Sequence, residues 1–82
     1  MKRVLLIGAF LVSALSPQIL QAQISAKQAK ADKLYAQLAF DAAIPLYEQL
    51  AKKSDDPSIK LKLANSYRLT QNFIKAEYWY EQ

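Results

Sequence analysis

The chain has no cysteine and no histidine, and among its 82 residues there is one glycine, one tryptophan and one methionine. Without cysteine there is no disulfide, no thiolate metal site and no thiol nucleophile. Without histidine there is no imidazole base and no imidazole metal ligand. The single glycine, Gly8, lies in an apolar N-terminal run, so no glycine-rich loop can cradle a phosphate. Charge of one sign is also scarce. Of eleven Lys/Arg, Lys2 and Arg3 stand at the extreme N-terminus, and the other nine face seven Asp/Glu. So even a balance does not track a nucleic-acid backbone. The adjacent carboxylates Asp55 and Asp56 fall short of a hard-cation shell and suit a cap and loop better. No set of nucleophile, base and oxyanion donor can be assembled, which points away from an enzyme, a cofactor or a metal.

What is present begins with Met1-Lys2-Arg3, a short basic segment, and an apolar run from Val4 to Leu15 interrupted only by Ser13. Ser16-Pro17 then breaks the run, and Leu20-Gln21-Ala22 offers a small residue for cleavage before Gln23 or one residue later. That order is the order of a secretory signal peptide, assigned to residues 1–22. The run is too short for a bilayer core, which takes roughly 20 apolar residues. With no cysteine after it, lipid modification is excluded. The protein is expected to be exported, to the periplasm or the outer membrane.

The remainder carries an internal repeat. A shift of 33 residues pairs Ser25 with Ser58, Lys27 with Lys60, Ala31 with Ala64, Phe40 with Phe73 and Ala43 with Ala76. It also pairs Tyr47-Glu48-Gln49 with Tyr80-Glu81-Gln82. A period in the low thirties marks a helical repeat, and the spacing predicts two helical hairpins, 25–56 and 57–82, the second incomplete. The first helix is expected to start at Ser25, where Ser25-x-x-Gln28 reads as a capping box and Ile24 can staple onto Ala29. Asp41 is the expected N-cap of the second helix, with Pro45 in or just inside its first turn. Asp56-Pro57 is a start signal for the third, and Gln71-Asn72 turns the chain into the fourth. Ala31, Ala64, Ala43 and Ala76 allow close helix approach, while Phe40, Phe73, Tyr47 and Tyr80 are expected to fill the space around them. Tyr78 and Trp79 are expected to meet a following helix, since consecutive helical residues point in different directions. Lys52-Lys53 complements a helix C-terminus.

Small, large and aromatic residues in this order resemble the tetratricopeptide repeat, most closely along Leu61-Lys62-Leu63-Ala64-Asn65-Ser66-Tyr67 through Phe73, Ala76 and Tyr80. The first copy departs from that pattern: Lys27 and Lys30 stand where large apolar residues are usual, and Leu38 replaces the turn glycine. Position 71 is Gln where glycine is usual. More narrowly, Ala31-Asp32-Lys33-Leu34-Tyr35, Ala43-Ile44-Pro45-Leu46-Tyr47-Glu48 and Lys75-Ala76-Glu77-Tyr78-Trp79-Tyr80-Glu81 resemble the N-terminus of OmpA-like envelope proteins of Bacteroidota. In that family a signal peptide precedes such repeats, a propeller-like region and a peptidoglycan-binding domain follow, and some members support type IX secretion. The peptidoglycan-binding domain has no counterpart in these residues, so that activity does not carry over.

The resemblance implies an all-α scaffold that docks a protein or peptide partner, or following domains of a longer chain, through the inner face of each first helix. It places Gln28, Asp32 and Tyr35 on that face in the first copy and Leu61, Asn65 and Arg68 in the second. Asn65 and Arg68 supply directed donors for a peptide backbone or carboxylate. A solvated helix face is the plain alternative for all six. A two-carboxylate clamp is not expected, because Gln28 and Leu61 occupy the positions of its lysines. Arrays of this kind usually close with a polar helix, and the expectation is an N-terminal piece of a longer protein. The rival reading is a small membrane-tethered helical peptide that oligomerises.

Overall fold

A serine followed by proline starts a helix as readily as it ends one, and here it starts one. The computed structural model describes residues 16–82, and all four of their regular elements are helices: α1 (Pro17–Ala36), α2 (Phe40–Lys53), α3 (Pro57–Leu69) and α4 (Phe73–Tyr80). The molecule is all-α over these residues, as expected. The basic segment and the Val4–Leu15 run of the expected signal lie outside them.

Ser16 has extended backbone angles, and its Oγ accepts from the Ile19 amide at 3.2 Å with Pro17 at the first helical position. This satisfies an amide that would otherwise be orphaned at the helix start. α1 then runs unbroken past Ala22 and past Ser25, which lies mid-helix. The expected start at Ser25 is therefore corrected. No glycine or proline after Pro17 opposes the helix before Ala36, so an earlier cap takes over. The N-cap of α2 is likewise corrected, from Asp41 to Ala39, which makes no side-chain cap bond. Asp41 sits inside the first turn, where its charge favours the helix dipole. Pro45 lies inside α2 and forgoes one backbone bond. Burial of Ala43, Tyr47 and Leu50 at i, i+4 and i+7 holds that helix to its neighbours.

α3 begins as its sequence signals, with Asp56 Oδ1 accepting from the Ser58 amide at 2.9 Å and Pro57 at the first position. It is the most buried helix, contributing Ile59, Leu63, Ala64, Ser66 and Tyr67 to the interior. Ser66, the buried polar residue, donates to the Lys62 carbonyl at 2.7 Å. Asn72 caps α4, its side chain accepting from the Lys75 amide at 3.3 Å.

The turns after α1 and α3 are the same structure 33 residues apart. The amides of Ala39 and Asn72 both reach back five residues, to Leu34 and Tyr67, at 2.8 Å. Those of Leu38 and Gln71 reach back three, to Tyr35 and Arg68, at 3.0 Å. This paired closure is a Schellman turn, and it needs a left-handed residue at its hinge. Leu38 takes φ 63° and Gln71 φ 67°, where glycine would fit without strain.

Each helix packs on the next: α1 on α2, α2 on α3, α3 on α4. Ala31, Ala43, Tyr47, Leu50, Ile59, Leu63, Tyr67 and Ala76 form one core, with Leu34, Tyr35, Ile44, Leu46 and Trp79 packed against it. The two copies are not equally filled. Tyr47 is fully buried, whereas its counterpart Tyr80 is 45% exposed and Phe73 is 63% exposed. The expectation that Phe73 and Tyr80 fill space as their counterparts do is corrected. α3 lies over Tyr47, and among the described residues no helix covers α4 in the same way. Trp79, expected at a further helix, instead packs on the core, while Tyr78 remains exposed.

Candidate functional site

Helical spacing places residues 28, 32 and 35 on one face of α1, and 61, 65 and 68 on one face of α3, because i, i+4 and i+7 share a side. The packing brings four of the six together. Asp32 Oδ1 accepts from the Tyr47 hydroxyl at 2.5 Å and from Lys62 Nζ at 3.1 Å. Asn65 Nδ2 donates to the Tyr35 hydroxyl at 3.2 Å, and Asn65 Oδ1 accepts from the Tyr80 hydroxyl. Arg68 Nε donates to that same Tyr80 oxygen at 3.1 Å. Lys62 also lies 5.9 Å from the centre of the Tyr35 ring, within cation–π range. The result is a polar ladder crossing from α1 to α3. Gln28 and Leu61 take no part in these bonds; Gln28 is half-buried and Leu61 is 53% exposed.

Tyr47, Lys62 and Tyr80 complete the ladder and were not singled out as site residues from the sequence. One signal in the sequence could have found the tyrosines. Asp32 and Tyr47 are 15 residues apart, and so are Asn65 and Tyr80, the same pair one repeat later. Lys62 carries no such signal, since its partner Asp32 is 30 residues away across a helix contact.

The electrostatics suit holding more than reacting. The Lys62–Asp32 pair is about one-third exposed on each side. Pairs so open to solvent are worth roughly 0–1 kcal/mol, so this one orients side chains more than it stabilises the fold. Burial, reinforced by the hydrogen bond to Asp32, raises the Tyr47 hydroxyl well above the ordinary tyrosine range. Burial and a 2.5 Å bond to Glu48 push Tyr67 up to about 12. Both phenols therefore stay protonated and act as donors, not as bases. Among the described residues no group of three His, Cys, Asp or Glu could hold a metal ion. What the arrangement offers is a row of fixed donors and acceptors. Arg68 is exposed, and its two terminal nitrogens make no bond within the described residues.

Comparison with protein-family profiles, with characterised proteins and with solved structures finds no match for the chain.

Proposed function

We propose that the chain is a non-enzymatic scaffold of an exported cell-envelope protein, built from two tetratricopeptide-like hairpins, whose α1/α3 face docks a protein or peptide partner. The observation that carries this reading is the ladder joining Asp32, Tyr35, Lys62, Asn65 and Arg68 across two helices. A face that only needs solvation has no use for side chains locked to one another. Preorganised donors and acceptors, by contrast, lower the ordering cost of binding. The repetition of Schellman turn and Tyr–Asx bond after 33 residues supports the repeat architecture. Docking is by helix-face contacts, with Asn65 and Arg68 offered to a backbone carbonyl or carboxylate. Export rests on the order of basic, apolar and small-residue segments at the N-terminus. As the resemblance to OmpA-like envelope proteins suggests, further domains of the same protein would carry the attachment to the envelope.

Affinity capture from an envelope extract tests the docking face. The wild-type chain is expected to retain one partner, and the double variant Asn65→Ala, Arg68→Ala to retain at least tenfold less with its helicity unchanged. Undiminished capture by the double variant would exclude this face.

A further inference from the structure

The two copies share a period, a turn and a Tyr–Asx bond, but only the first has its outer side covered. In the first copy α3 supplies the cover. Its Ile59 and Leu63 are fully buried in the cluster that contains Tyr47, and Tyr67 donates to Glu48 of α2 at 2.5 Å. One repeat later the same receiving positions are vacant of any such helix among the described residues. Tyr80 stands for Tyr47 and is 45% exposed; Glu81 stands for Glu48 and is also exposed. Between α3 and α4 runs a groove of about 310 Å³ lined by Pro57, Lys60, Leu61, Trp79 and Tyr80. Phe73, 63% exposed against a half-buried Phe40, adds to the same uncovered copy.

We propose that the α3/α4 edge receives an amphipathic helix of α3's own kind, supplied from outside the chain's four helices. It carries aliphatic side chains at n and n+4 and a tyrosine at n+8. The aliphatic pair takes the places that Ile59 and Leu63 take against Tyr47, now against Tyr80 and Trp79. The tyrosine donates to Glu81 as Tyr67 does to Glu48. Asn65 replaces Asp32 at this level, so the incoming helix needs no counterpart to Lys62. A second copy of this chain fits poorly. Its α3 is already buried, and its α1 would present Ala26, Lys30 and Leu34 at n, n+4 and n+8, placing an ammonium where Leu63 belongs. The inference rests on the repeat reading above.

The test uses the full-length chain and a labelled synthetic peptide of the sequence Asp55–Thr70, which contains α3 with its cap. Fluorescence anisotropy should show saturable one-to-one binding. It should weaken at least tenfold with Tyr80→Ala and with Phe73→Glu, each checked for retained helicity by circular dichroism. A peptide carrying Ile59→Asp and Leu63→Asp should not bind. No saturable binding would overturn the proposal. So would binding that both α4 variants leave intact, which means the peptide sits elsewhere or exchanges for α3. Tyr80-dependent dimerisation of the chain alone, read by sedimentation, would give the edge to a second copy and also overturn it. Because the probe is α3 and not the partner of the α1/α3 face, failure here is read separately from failure of envelope capture.

Discussion

Leu38 and Gln71 hold left-handed backbone with a β-carbon attached, and neither gains burial for it; Leu38 is 73% exposed. The strain of such a residue is roughly 1–2 kcal/mol, and glycine returns part of that as unfolded-chain entropy, about 0.4–1 kcal/mol. Leu38→Gly and Gln71→Gly are each expected to stabilise the fold by about 0.5–1 kcal/mol, measured by urea unfolding. Loss of stability in both would mean that the turns are not as described. Tyr67 makes a prediction of the opposite kind. Its folded pKa of about 12 lies above the ordinary value of about 10, so the native state holds the proton more tightly than the unfolded chain. The stabilisation is complete below about pH 10 and is lost as pH rises through about 12. Unfolding curves at pH 8, 10 and 11 should show stability falling only across the upper pair, and Tyr67→Phe should flatten that fall.

At the scale of the element, what could be read from the sequence was what is local. Asp56-Pro57 announces α3 because cap and first residue are adjacent, and the Schellman turns follow the period. Ser16-Pro17 was ambiguous for a physical reason: the same pair that ends an apolar run also supplies an N-cap oxygen and a proline that needs no donor. The full-length chain and a chain beginning at Gln23 should therefore use different caps. In the full-length chain Ser16→Ala is expected to cost about 1 kcal/mol and Ser25→Ala nothing measurable. In the shorter chain Ser16 is gone, Ser25 becomes the first available cap, and Ser25→Ala should cost about 1 kcal/mol. Thermal unfolding of the four proteins checks this. The ladder was only half legible, because periodicity assigns a residue to a face but does not say which side chains meet across two helices. Asp32, Tyr35, Asn65 and Arg68 were placed by face. Lys62 was invisible, because its role depends on α1 and α3 lying side by side.

The whole molecule is a small core with an unequal ending. Its largest fully buried apolar side chains are Tyr47, Leu50, Ile59 and Leu63, and α3 supplies two of them. Leu63→Ala is expected to remove about 2–5 kcal/mol, comparable with the total of about 5 kcal/mol for a domain this small. Circular dichroism should then show loss of most helical signal at 37 °C, whereas Leu61→Ala, at an exposed position, should leave it unchanged. That contrast separates the residues that make the scaffold from those that face a partner.

The central claim is that the α1/α3 face is the docking face, and site-specific photo-cross-linking in cells addresses it most directly. A photoreactive residue in place of Leu61, on that face, is expected to capture one protein. The same residue in place of exposed Ala42, on α2, is expected to capture none. Cross-linking from position 42 with none from 61, or equal yields from both, would contradict the account.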